Sequence, residues 1–150
     1  MAAGMTLRRD DYEAFSAAFV AEVARHAADV ELQAVIESDG ELEPTDFQLD
    51  VAATLRYAGP WGQHFPEPVF DGTFDIVSQR LVGEKHLKLV LSLPAKPLVL
   101  DASAYNVDQD TWPNASIDSA QIAYRLDVNE FRGQRNVQLV VEHLVPGCAN

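Results

Sequence analysis

The sequence predicts an α+β segment, helix–strand–helix, over residues 1–60, followed by an all-β, five-stranded barrel over residues 61–150. Three observations predict it. Apolar residues recur at helical spacing only before residue 60, five alternating apolar runs follow residue 68, and a Gly- and Pro-rich stretch separates the two patterns.

Tyr12, Phe15, Phe19 and Val23 recur at spacings of three, four and four, which predicts one apolar face on a helix from about Asp10 to Ala28, packed against a neighbour. Asp10 stands as its N-cap, with Glu13 three residues on as in a capping box. From Val30 to Ser38, Val30, Leu32, Ala34 and Ile36 alternate with polar partners, a strand pattern that Asp39-Gly40 ends in a turn. Pro44-Thr45-Asp46 reads as the start of a second helix carrying Phe47, Val51 and Leu55 on one face, and Gly59-Pro60 stops it. Gly59 to Pro68, with Trp61 and Phe65, is an ordered linker, and the domain boundary falls near residue 60.

Val69 to Val82, with Phe70, Phe74 and Ile76 on one face, is the first barrel strand, and Gly83-Glu84-Lys85 turns the chain. Leu87, Leu89, Leu91 and Leu93 mark the core face of the second, which Pro94 to Pro97 ends. Leu98 to Val107 is the third, and Asp108 to Ser119 is a loop or short helix holding Trp112. Ile122, Tyr124, Leu126 and Val128 mark the fourth, Arg132-Gly133-Gln134 a turn, and Val137 to Leu144 the fifth. Five strands with a longer third connection match an OB-fold barrel, whose first-to-second and fourth-to-fifth hairpins flank an oligonucleotide- or oligosaccharide-binding face.

Charge sharpens that expectation. The chain has a net charge of −12, which argues against a polyanionic partner. Residues 1–60 carry 4 basic and 12 acidic groups, net −8; residues 61–150 carry 7 and 11, net −4. Six of those 7 cations fall in two windows, Arg80 to Lys88 and Arg125 to Arg135, one on each flanking hairpin. Arg80, Lys85, Lys88, Arg125, Arg132 and Arg135 are candidate phosphate contacts along one rim, and His86 and Phe131 are candidate stacking faces for bases. Asn129 is the candidate to pin the fourth-to-fifth connection, and Trp61, Phe65 and Trp112 are packing residues.

Residues 124–133, Tyr-Arg-Leu-Asp-Val-Asn-Glu-Phe-Arg-Gly, followed by Val137-Gln138-Leu139, resemble the C-terminal signature of the RecJ family of single-strand-specific DNA exonucleases. Gly59-Pro60-Trp61-Gly62-Gln63 with Pro66-Glu67-Pro68-Val69-Phe70 resembles the linker into that family's OB-fold, although His64-Phe65 stands where many relatives carry Gly-Asn. Met1-Ala2-Ala3-Gly4-Met5-Thr6-Leu7 resembles the end of the Gly-Gly-His-x-x-Ala-Ala-Gly motif of its DHHA1 domain, without the Gly-Gly-His half. The resemblance implies that residues 1–60 are the C-terminal part of a DHHA1 domain with a connecting helix, that residues 61–150 are the OB-fold, and that Met1 is an internal position. It implies a parent 5′→3′ exonuclease of DNA repair and recombination that uses Mn²⁺ or Mg²⁺ in an Asp-His-His (DHH) domain outside this chain. The implied partners are single-stranded DNA, that DHH domain and DNA-repair proteins, with no membrane partner.

Other chemistries lack their residues. No run approaches the roughly 18 apolar residues of a membrane span, and no export signal opens the chain, so a cytoplasmic setting is expected. The single Cys148 makes neither a disulfide nor a cysteine metal site, and no Gly-x-Ser-x-Gly elbow occurs. His26, His64, His86 and His143 lie in separate segments, and Asp108-Gln109-Asp110 reads as a solvated acidic loop. The chain alone is therefore expected to hold no metal and to be inactive. A module that braces the nuclease or binds a protein partner is the alternative, favoured by the acidic first 60 residues.

Overall fold

The computed structural model describes residues 4–27, 35–83, 85–94 and 96–147. It divides into two units, Met1–Val35 and Ile36–Asn150, which are described separately.

In the first unit a single 3-10 turn, Arg9–Asp11, runs into helix α1, Tyr12–Ala27. Asp10 is not the cap expected of it. Arg8 is the extended residue before the turn, Asp11 N–H donates to its carbonyl at 3.0 Å, and no side chain caps the turn. Asp10 and Asp11 therefore lie within the first turn, where carboxylates favour the helix dipole. Phe15 and Phe19 stack at 5.8 Å, and no residue of α1 is buried. Of the strand expected over Val30–Ser38, residues 30–34 lie outside the described residues and residues 35–38 are irregular.

The second unit begins ahead of the sequence-derived boundary near residue 60, because the segment before the linker packs on the barrel. Helix α2, Leu49–Tyr57, starts later than Pro44-Thr45-Asp46 predicts. Those residues form a turn, with Asp46 N–H bonded to the Glu43 carbonyl at 2.8 Å and Gln48 N–H to the Asp46 carbonyl at 2.7 Å. Phe47, just before the helix, is buried and stacks on Tyr124 at 6.1 Å and edge-on to Phe74 at 6.3 Å. Ala52 is fully buried, and Arg56 reaches Asp127 at 3.3 Å. The linker holds together by stacking Trp61 on Phe65 at 4.9 Å, and the Trp61 indole N–H donates to the Leu55 carbonyl at 3.0 Å. Gly59 lies beneath this pair, where a Cβ would sit 2.7 Å from the Phe65 ring.

The barrel strands are β1 Phe70–Val82, β2 His86–Leu93, β3 Lys96–Tyr105, β4 Ser119–Phe131 and β5 Gln134–Pro146. They close in the order β1-β2-β3-β5-β4, with β4 returning to β1; only β3 and β5 run parallel. Where the strands pair, closure leaves no free sheet edge and sets one face of each strand inward. The expected core faces hold: Leu87, Leu89 and Leu91 of β2 and Ile122, Tyr124, Leu126 and Val128 of β4 are all buried. Burial, and then the nearby Asp71 and Glu41, push the Tyr124 phenol well above its ordinary pKa.

Two one-residue irregularities rephase this alternation. The β1–β2 pairing passes from Ile76↔Leu91 to Ser78↔Val90, leaving Val77 as an extra residue. The β4–β5 pairing passes from Ala123↔His143 to Tyr124↔Val141, leaving Glu142 extra. Such bulges turn the following side chains to the opposite face.

The β3–β4 connection is a loop that seats Trp112, 3% exposed, in the core. The Gln79 amide fastens it, donating to the Asn114 carbonyl at 2.6 Å and accepting from Asn114 N–H at 2.8 Å. Replacing Trp112 by Ala removes the largest loop contribution to the core, and we expect a loss of about 3–5 kcal/mol in urea unfolding. A loss below about 1 kcal/mol would show that the loop is not part of the core.

Candidate nucleic-acid interface

The bulge at Val77 decides where Arg80 lies. Phe74 and Ile76 pair on the inward phase of β1; after the extra residue, Gln79 is level with inward Leu89 and Arg80 with outward Lys88. Arg80 and Lys88 are therefore side by side on the outer face. Like charges directly opposite repel, and the Lys88 ammonium leans away from Arg80, donating to the Ser103 hydroxyl on β3 at 2.6 Å. Ser103 is 3% exposed and is the one buried polar residue among the described residues. Lys85 is exposed at the β1–β2 turn, beyond the Val82↔His86 pair, and His86 follows it at the start of β2.

Arg125 lies on the same side of the sheet but is already engaged. Its Nη1 meets Glu67 Oε2 at 2.8 Å and its Nε meets Glu142 Oε1 at 2.6 Å. Burial works against its charge, but the two carboxylates outweigh that and hold its pKa above the ordinary arginine value. Glu142 follows inward Val141 and shares the outward phase of Val140, the partner of Arg125, so its carboxylate lies on the same face as the guanidinium. Arg125 thereby ties the linker, through Glu67, to two strands of the barrel.

The remaining predicted residues sit on the β4–β5 hairpin. Phe131 pairs with Gln134 across a two-residue turn, Arg132-Gly133, in which both φ angles are positive, 52° and 77°. This is the turn that matches the twist of a hairpin, and it favours Asn or Gly at its first position. Phe131 is 65% exposed, and the Arg132 guanidinium carbon lies 5.1 Å from its ring centroid. Arg135 is exposed opposite Glu130, and Asn129 pairs with Asn136.

The six cations do not share one rim. The β1–β2 turn lies at the Tyr105 end of β3, because His86 pairs with Tyr105. The parallel pairing Asp101↔Gln138 to Ala104↔Val141 carries the start of β5, and with it the hairpin tip, toward the Lys96 end. Roughly 20 Å of strand separates the levels of Val140 and Gln134. Arg80, Lys85, His86 and Lys88 form one group, Phe131, Arg132 and Arg135 a second, and Arg125 a clamp between strands. Among the described residues no carboxylate pairs with Arg80, Lys85, Lys88, Arg132 or Arg135.

The sequence reading passed over Tyr105. Leu100, Ala102 and Ala104 are buried, so Tyr105 takes the outer face of β3, where its ring meets that of His86 at 4.9 Å. The alternation within Leu98 to Val107 carries that signal.

The described residues do not fit a metal centre: no three His, Cys, Asp or Glu side chains among them converge as ligands. Asp108 is used within its own loop, accepting from the Thr111 hydroxyl at 2.7 Å and Asp110 N–H at 3.1 Å. These bonds, the first the stronger, hold its carboxyl below the ordinary aspartate range.

A family model described as the RecJ OB domain matches residues 38–143. The single-stranded-DNA-specific exonuclease RecJ of Dickeya dadantii is 48% identical over 146 residues, and that of Escherichia coli 44% over 146. Each alignment covers 97% of this chain and 25% of the relative, so the chain spans about a quarter of the length of the curated relatives it matches. Among solved structures, RecJ from Thermus thermophilus in complex with Mn²⁺ superimposes with a TM-score of 0.66 at 23% identity, covering 91% of this chain and 20% of that one. The same protein in complex with Mg²⁺ gives the same score. The structural likeness supports the five-stranded OB-fold, and the family match with the sequence identities decides membership: the chain belongs to the RecJ family, through that family's OB domain.

Proposed function

We propose that this chain is the strand-holding part of a RecJ-type 5′→3′ single-stranded DNA exonuclease of DNA repair and recombination. In this reading residues 1–60 comprise the end of a DHHA1-type domain and the helix joining it to the barrel, and residues 61–150 hold the strand. Bond cleavage, with Mn²⁺ or Mg²⁺, belongs to a DHH domain elsewhere in the nuclease, and the setting is the cytoplasm. The observation that carries the reading is the cross-strand pair Arg80–Lys88, two adjacent cations without a described carboxylate partner in a chain of net charge −12. A positive pair left open on an acidic protein is a local minimum of potential energy for phosphate. Lys85 extends it, and Arg132 and Arg135, with Phe131 as a stacking face, supply a second contact region on the other hairpin.

A second reading, a bracing or protein-interaction module, draws on Arg125. Its bonds to Glu67 and Glu142 fasten linker to barrel and leave its charge compensated. The two readings divide the predicted residues between them, since Arg125 braces whereas Arg80, Lys85 and Lys88 stay open.

If the barrel holds DNA, log K for an oligothymidylate falls linearly with log salt, by about 0.7 per phosphate neutralised. The double substitution Lys85→Glu with Arg132→Glu abolishes binding in fluorescence anisotropy, while Arg125→Met leaves the salt slope unchanged. Undiminished binding by the double variant, or none by the wild type at low salt, contradicts the proposal. Arg132 supplies a further check. Its φ of 52° is a strained conformation for a long side chain, costing about 1–2 kcal/mol that Gly, without a Cβ, or Asn, by local side-chain hydrogen bonding, relieves. Arg132→Asn should therefore raise the thermal midpoint while weakening DNA binding. Unchanged or stronger binding by Arg132→Asn would mean that the arginine is not held there for its charge, and a lower midpoint would mean that its backbone is not strained.

A further inference from the structure

The seam between β3 and β5 opens at one end. Their parallel pairing runs from Asp101↔Gln138 to Ala104↔Val141 and stops there. Asn106, at a φ of 55°, turns the chain out of β3, and Val107 N–H goes to the Lys85 carbonyl at 3.4 Å. β5 continues from Glu142 to Pro146, and over this stretch β4 is its one paired strand among the described residues.

The ladder decides what faces the open side. Bonded and non-bonded pairs alternate between antiparallel strands. Gly147 N–H donates to the Ser119 carbonyl at 2.8 Å, so Val145 exchanges bonds with Gln121, whereas Leu144, opposite Ile122, does not. The N–H and C=O of Leu144 therefore point away from β4, into the opening that β3 has left. Among the described residues no backbone bond takes up either group. Such an edge is a template for another extended chain.

The opening has room for one. A cavity of about 320 Å³ lies there, lined by Asn106, Asp108, Trp112, Glu142 and Leu144 among others; ligand pockets begin at roughly 300 Å³. Trp112 and Leu144 give it an apolar side. Its charge is negative: Glu142 shares the Arg125 guanidinium with Glu67, two carboxylates to one cation, and Asp108 adds a further carboxylate. Apart from His143, no basic side chain among the described residues lines it.

We propose that the open edge of β5 at Leu144 docks an extended peptide segment of a partner protein, basic and apolar in alternation, which adds as a strand beside β5 in the line of β3. Its backbone takes the Leu144 N–H and C=O, an apolar side chain lies toward Trp112, and a lysine or arginine meets Asp108 and Glu142. The partner is basic because an acidic strand would be set against these carboxylates. The site uses none of the cations of the strand-holding reading and does not depend on it.

The probe is a fluorescent peptide of about six alternating lysines and valines, the usual length of a strand. One control carries glutamate for lysine; the other keeps every charge but has its inner amides N-methylated, which separates edge pairing from general attraction to an acidic chain. In anisotropy with the 150-residue chain, the lysine peptide is expected to bind about tenfold more tightly than either control. Asp108→Asn weakens it about twofold to fivefold. In hydrogen exchange, the Leu144 amide is fast in the free chain and slowed by the lysine peptide, while the Val145 amide is slow in both. Equal binding by either control overturns the proposal, as does a Leu144 amide already slow in the free chain or unmoved by the lysine peptide. Protection of Leu144 that grows with protein concentration, without peptide, overturns it in favour of a second copy of the chain. None of these outcomes alters the oligothymidylate assay, so the two readings fail separately.

Discussion

A closed sheet has an inside and an outside, and the two-residue repeat of each strand assigns every side chain to one or the other. In this barrel the pairing is interrupted at three places, and the arrangement of charge follows from the one at Val77. Had β1 kept the phase of Phe74 and Ile76, Arg80 would point among Leu87, Leu89 and Leu91, and a guanidinium there would cost several kcal/mol. The extra residue at Val77 returns it to the outer face, beside Lys88. Glu142, outward in the same phase as Val140, brings a carboxylate to Arg125. The bulge at Val77 thus sets out an open cationic pair, and Glu142 closes off a cation that would otherwise extend it.

The same contrast explains how an acidic chain can offer a surface to a polyanion. Net charge is a sum over the whole molecule, whereas attraction at short range depends on charges within about a Debye length of 8–10 Å. Arg56 and Arg125 are matched with carboxylates in tying the helix and linker to the strands, and their charges serve the fold. Arg80, Lys85 and Lys88 are not matched among the described residues, and Lys88 is steadied by a neutral hydroxyl that leaves its charge intact.

Much of the barrel was legible in the sequence because burial writes itself into alternation: Leu87, Leu89 and Leu91 needed no structure to be assigned to the core. Strand ends were less legible. β4 and β5 run beyond Val128 and Val137, where Asn129–Asn136 and Glu130–Arg135 pair through their backbones without an apolar signal. Helix starts were misread where polar residues that often cap instead form turns, as at Asp10 and at Pro44-Thr45-Asp46. The Gly- and Pro-rich linker suggested a boundary that packing does not respect, since Phe47 and Ala52 ahead of it belong to the barrel's core. A bulge depends on the partner strand, so the outward turn of Arg80 and the pairing of Arg125 with Glu67 were beyond any local pattern. The ring of Tyr105 was within reach, because Leu100, Ala102 and Ala104 already assign it to the outer face.

The central claim is that one outer face, rephased by the bulge at Val77, receives a single strand. Amide shift mapping of the isotope-labelled chain during titration with a short oligothymidylate tests it most directly. The account predicts perturbations concentrated on residues 78–82, 86–90 and 103–105, with a second set around residues 131–135. Perturbations confined to α1, α2 or the Arg125 clamp, with that face silent, would contradict it.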